Sequence, residues 1–182
     1  MTKTLIEKDY YRIHGRWPGK IIFKSMVDPN FRYIYFFRKA SRHSKKSLKG
    51  IFYRMVLHQL QVRFGYQIYP GTDIGEGFYL GHWGTVIINP KVKIGKNCNV
   101  APGVTIGQTN RGDKEGVPVL GNEVWIGTNA VIVGNINIGN NVLIAPNAYV
   151  TRDVPDNSVV VGNLARIIQN EEATVGYIEN KV

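Results

Sequence analysis

From residue 68 onward an aliphatic side chain returns at every sixth position. Ile68, Ile74 and Leu80 open the series. After two extra residues come Ile88, Ile94, Val100 and Ile106, and after a longer break Leu120, Ile126, Ile132, Ile138, Ile144 and Val150. A period of six is not that of a helix, whose apolar stripe recurs near 3.6, nor the simple alternation of a half-exposed strand. It fits a short strand, a corner and another short strand, repeated, with three such units closing a triangular turn of about 18 residues. Four positions after each aliphatic residue the side chain is mostly compact (Thr72, Val92, Cys98, Val104, Val124, Ala130, Val142, Ala148, Val154), with Phe78 and Ile136 larger. Gly follows the aliphatic residue at 75, 81, 95, 107, 121, 127 and 139. These glycines and the neighbouring asparagines are expected at corners that need positive φ. Cys98, the only cysteine, is expected inside the coil as a small inert hydrophobe.

The remaining segments lack this period. Residues 107–118 read as a polar loop that leaves the coil between two turns, and loops on a rigid scaffold often carry function. Residues 1–66 look helical near 5–14, 31–43 and 47–64 and are dense in aromatics, among them Tyr10, Trp17, Phe23, Phe31, Tyr33 and Phe37. A solenoid exposes unpaired strand at its end, so this region is expected to cap the first turn. The expected organisation is a cap over 1–66, a coil over 67–168 and a tail over 169–182.

The net charge of +10 is carried by the cap, where 15 Lys and Arg stand against 3 Asp and Glu in residues 1–66. Such a surface suits phosphates or an anionic membrane. Arg38, Lys39, Arg42, Lys45, Lys46 and Lys49 are the residues expected to hold the chain there. No nucleic-acid motif accompanies the charge, so nucleic acid is not an expected partner. No run is long and apolar enough to cross a membrane, and charges interrupt the short apolar stretch near the start. With one cysteine, this leads to an expected cytoplasmic location.

The coil holds a single histidine, His82, two positions after inward Leu80 and directly before the two-residue slip. It is expected at a corner, pointing outward. Acyl transfer to an alcohol needs a general base, and neutral imidazole, with a pKa near about 6.5, can take the hydroxyl proton. A thioester donor is already activated, so no covalent intermediate is required. Backbone N–H groups of the coil are the expected oxyanion donors. Three histidines for a zinc site are missing from the coil, so no metal is expected.

Leu80-Gly81-His82, Ile94-Gly95-Lys96-Asn97, Gly103-Val104-Thr105-Ile106-Gly107 and Val124-Trp125-Ile126-Gly127 resemble the hexapeptide-repeat acyltransferases. The likeness is to the serine acetyltransferase branch and its relatives that acetylate surface sugars, and it extends over roughly residues 50–168. The resemblance implies a left-handed parallel β-helix, a homotrimer with sites between subunits, and acetyl-CoA as donor. It makes His82 the base and puts Gln67, where the branch has an aspartate, in the orienting position. Gly107, Trp125, Gly127, Thr128 and Ala145 fall along the implied donor groove, with Arg166, Arg111 and Lys114 as candidates for its phosphate. Gly81 and Trp83 would meet the acceptor. Gly81 stands where the branch has a second aspartate, and Gly116-Val117 stand where it has an Arg-His pair. Because these departures remove charge, the expected acceptor is a sugar hydroxyl, in surface-polysaccharide synthesis. Serine is the alternative, and a scaffold that binds coenzyme A without turnover is a second one.

Overall fold

The computed structural model describes residues 3–19 and 26–182, so Phe23 of the expected cap lies outside the described residues. Among the described residues three helices come first: α1 (Leu5–His14), α2 (Pro29–Arg42) and α3 (Leu48–Phe64). Their ends are marked in the sequence. Thr4 and Glu7 form a reciprocal capping box at α1, Asp28 caps α2 with Pro29 in its first turn, and Gly65 ends α3 in the left-handed region.

The coil begins at once with β1 (Tyr66–Ile68) and continues through short strands that stack into three sheets. The first face holds β1, β4 (Val86–Ile88), β7 (Thr105–Gly107), β10 (Val131–Val133) and β13 (Tyr149–Val150), all parallel. The second holds β2 (Asp73–Ile74), β5 (Lys93–Ile94), β8 (Val119–Leu120) and β11 (Asn137–Ile138). The third holds β3 (Tyr79–Leu80), β6 (Asn99–Val100), β9 (Val124–Ile126), β12 (Val142–Ile144), β14 (Ser158–Val161) and β15 (Arg166–Gln169). The result is a left-handed parallel β-helix of about five turns with helices at its N-terminal end. Every aliphatic residue of the six-residue series is buried, from Ile68 at 0% to Ile74 at 5% exposure, and the compact series lies buried with it. Cys98 is inside, and burial pushes its thiol up to about 12. β15 differs from the expected end of the coil, since it turns back antiparallel on β14.

The repeat glycines have a different reason from the one expected. None of the seven takes positive φ; that conformation falls to corner residues such as Asn97, Asn129, Asn141 and Asn147. Glycine is needed because successive turns stack too closely for a side chain. A Cβ on Gly95 would lie 2.4 Å from the Gly121 carbonyl oxygen, and one on Gly127 2.6 Å from Pro146 N. Gly81 and Gly107 are the exceptions, with nothing nearer than 3.6 and 3.5 Å. They stand where the slip and the loop interrupt the stacking.

The cap satisfies the polar groups that the first turn leaves without a preceding turn. Tyr33 Oη and Gln61 Nε2 donate to the Ile68 carbonyl, each at 3.0 Å. Arg38 donates to the carbonyls of Ile74 and Gly75 at 2.6 Å and to Asp9 at 2.7 Å, while Asp9 accepts the Phe78 N–H at 3.0 Å. Arg38 therefore leaves the set of membrane-facing cations. It is 8% exposed and paired with a fully buried carboxylate. Arg42, Lys45, Lys46 and Lys49 are exposed.

Residues 170–182 run back along the third face. Thr174 is tied to Asn141, Tyr177 O accepts from Asn99, and Val182 exchanges two hydrogen bonds with Asn97. Among the described residues no helix is long and apolar enough to cross a membrane.

Candidate active site

His82 lies in the corner between β3 and β4, where residues 81–85 carry the slip. Its side chain is exposed, and its backbone is held from within. Tyr66, 0% exposed, sets its hydroxyl 2.9 Å from the His82 carbonyl and 2.7 Å from Asn30 Oδ1, and Asn30 Nδ2 donates to the Gly81 carbonyl at 3.4 Å. Burial raises the Tyr66 phenol above its ordinary range, so it stays a neutral donor. The hydrogen bonds of the described residues include none between Gln67 and the His82 imidazole. Gln67 sits on the outer side of β1, exposed, next to Tyr66. Tyr66 and Asn30 were not singled out in the sequence. The position singled out there is outward Gln67, and no sequence signal marks its inward neighbour.

The two residues that follow His82 in the chain, Trp83 and Gly84, line a cleft of about 670 Å³ together with Val27, Pro29 and Arg32 at the start of α2 and Arg63 and Phe64 at the end of α3. Trp83 is 61% exposed and stacks on Phe64, with centroids 6.2 Å apart and planes at 19°. The guanidinium carbons of Arg32 and Arg63 stand 5.4 and 5.9 Å from the same Phe64 ring.

The residues implied for the donor divide between two edges of the coil. Gly127, Thr128 and Ala145 follow β9 and β12, in the same corner column as His82. Turns are spaced by about 4.8 Å, so this column runs about 14 Å from His82 to Ala145. Arg166 opens β15, exposed, just past the corner at residues 162–165 that ends this column. Gly107, Arg111 and Lys114 lie on the opposite edge of the first face. There the loop is closed by reciprocal backbone bonds between Thr109 and Gly116, and Lys114 pairs with Asp153 at 3.0 Å. Trp125 is on the third face, where Tyr177 of the tail covers it edge-on at 4.8 Å. The open backbone at Gly81 and Gly107 and the exposed Thr128 are compatible with an extended thioester ligand.

Residues 118–152 match the family described as bacterial transferase hexapeptide (six repeats). A serine acetyltransferase of Helicobacter pylori is 35% identical over 131 residues, covering 71% of this chain and 76% of that protein. One from Synechococcus elongatus is 34% identical over 127 residues, 70% of this chain and 52% of its own, so the chain spans about half of that relative's length. Among solved structures, the serine acetyltransferase of Neisseria gonorrhoeae in complex with serine has a TM-score of 0.71 at 30% identity, covering 90% of this chain and 67% of that one. The Brucella abortus enzyme in complex with coenzyme A has a TM-score of 0.74 at 28% identity, with 91% and 67% covered.

These matches, all to serine acetyltransferases, overturn the expected sugar acceptor and give no support to polysaccharide synthesis or to a likeness to enzymes that acetylate surface sugars. The expectation of a sugar rested on the uncharged residues at coil positions 67, 81, 116 and 117; the fold also places two cap residues with charge, Arg32 and Arg63, in one cleft with Trp83. On sequence and structure together, the chain belongs to the serine acetyltransferase family of hexapeptide-repeat acyltransferases.

Proposed function

We propose that this protein is an acetyl-CoA-dependent O-acetyltransferase whose acceptor is the hydroxyl of serine. The observation that carries the reading is an exposed histidine fixed by its backbone at the register slip of the coil, in a chain 35% identical to a serine acetyltransferase along 76% of that relative's length. Acetyl-CoA supplies an acyl carbon already activated as a thioester. His82 takes the hydroxyl proton as the serine oxygen attacks that carbon. Backbone N–H groups of the neighbouring corners stabilise the oxyanion. When the carbon–sulfur bond breaks, imidazolium returns the proton to the departing thiolate, and no charge is left on the protein. Gly107, Gly127, Thr128 and Ala145 would line the donor's path, and Arg166 and Arg111 are the cations for its phosphate, since Lys114 is engaged by Asp153.

The active assembly is a homotrimer in this reading. The second face turns Asp73, Lys93 and Asn137 outward with one apolar residue, Val119, and the tail covers the third. The first face presents Ile87, Val131 and Tyr149 half-buried. Packing that face around a three-fold axis brings the loop edge of one subunit to the His82 edge of the next, so the two halves of the donor groove meet. The exposed Arg42, Lys45, Lys46 and Lys49 support a peripheral contact with an anionic membrane, which salt-sensitive flotation with anionic liposomes tests. For the reaction itself, the test is thiol release with serine by wild type and His82→Ala. The variant should lose turnover and keep coenzyme A binding; equal turnover would remove His82 from the chemistry.

A further inference from the structure

Two arginines face the cleft beside Trp83, and no acidic residue lines it. Asp28, between Val27 and Pro29, spends its carboxylate on the N-terminus of α2. It accepts the N–H groups of Asn30 at 2.9 Å and Phe31 at 3.5 Å, and its other oxygen lies 3.9 Å from His14 Nε2. Among the described residues neither Arg32 nor Arg63 has an ion-pair partner, and Arg32 Nε is buried with no hydrogen bond. Residues 20–25, which precede α2, contain no Asp or Glu that could neutralise them. Both guanidinium groups lie against the Phe64 ring, which also stacks on Trp83. The Phe64 ring lies within cation–π reach of both guanidinium groups, Arg32 half-buried with its Nε out of solvent and Arg63 exposed at the mouth of the cleft.

We propose that Arg32 and Arg63 form the subsite that binds the acceptor's carboxylate. A guanidinium fork matches the two oxygens of a planar carboxylate, and Arg keeps its charge at every working pH. The subsite joins the catalytic corner through short links. Trp83 follows His82 in the chain, and Asn30, which holds the Gly81 carbonyl, is half a helical turn from Arg32. An amino acid that bridges Arg32, Arg63 and His82 would present its side-chain hydroxyl to the imidazole. The helical cap would thereby read the acceptor, a task for which coil position 116–117 here offers only Gly and Val. This assignment rests on serine, or another hydroxyl compound with a carboxylate, being the acceptor.

The test compares L-serine with L-serinamide, which keeps the hydroxyl and amine but lacks the carboxylate. Steady-state kinetics and calorimetric titration of the coenzyme A complex are run on wild type, R32Q, R63Q and R63K, each first checked for wild-type melting. Losing one charge-assisted fork should raise the KM and Kd for serine roughly 10- to 100-fold, with the acetyl-CoA KM unchanged. R63K should recover part of the loss. Serinamide should bind wild type weakly and be indifferent to the variants. Unchanged serine affinity in both glutamine variants, or equal losses for serine and serinamide, would overturn the subsite. If wild type releases no thiol with serine yet binds it in an arginine-dependent manner, the subsite stands and the acceptor reading fails. Arginine-independent binding sinks the subsite whatever the turnover.

Discussion

Replacing Tyr66 with Phe tests whether the cap holds the catalytic corner. The hydroxyl is fully buried between Asn30 Oδ1 at 2.7 Å and the His82 carbonyl at 2.9 Å. Phenylalanine fills the same volume and keeps the edge-on packing against Tyr33 at 4.7 Å, so only the polar contact is lost. The single O–H proton, shared between these two acceptors, is lost, so one of them is left without a donor. Asn30 can turn and the corner is close to solvent, so the expected loss is about 1–3 kcal/mol, near the range for one buried polar group left unpaired. For a chain of this size each kcal/mol lowers Tm by about 2–4 °C, giving a drop of roughly 2–12 °C. The larger effect is expected in turnover. A base displaced by about 1 Å costs on the order of 100-fold, so kcat should fall roughly 10- to 100-fold with little change in the KM for acetyl-CoA. Steady-state kinetics beside a calorimetric melt reads both. A variant with wild-type kcat and wild-type Tm would refute the argument, because the corner would then be held by something other than Tyr66.

Further substitutions probe the rest of the account. Arg38→Met leaves the Asp9 carboxylate buried and unpaired, and urea unfolding should report a loss of about 3–5 kcal/mol, largely recovered by adding Asp9→Leu. Gly127→Ala, whose Cβ would lie 2.6 Å from Pro146 N, should destabilise by roughly 1–3 kcal/mol, whereas Gly81→Ala, with 3.6 Å of clearance, should melt like wild type. Gln67→Asp should shift the acidic limb of the kcat/KM profile to higher pH, because a carboxylate near imidazole favours its protonated form; an unmoved profile takes Gln67 out of the site.

The coil was legible because one physical requirement, an inward aliphatic residue per strand, repeats often enough to exclude other periods. Ile68 through Val150 all lie inside. The three helices and the outward His82 at the slip followed from equally local signals. What escaped was set by contacts distant in sequence. Arg38 looked like its basic neighbours, and nothing local marks Asp9 as its partner 29 residues away. No local pattern marks Arg32 or Arg63, which the fold sets against the same Phe64 ring. Tyr66 carries no local signal either, since its hydroxyl meets partners 36 and 16 residues off. The expected sugar acceptor rested on a few coil positions alone, 67, 81, 116 and 117, which say nothing of side chains that other elements bring to the same corner.

The most direct measurement of the central claim is the product itself. Wild-type protein incubated with labelled acetyl-CoA and L-serine should yield O-acetyl-L-serine by mass spectrometry, with one coenzyme A released per acetyl transferred and none with His82→Ala. Labelled acetyl-CoA left intact at saturating serine, in protein that binds coenzyme A, would contradict it.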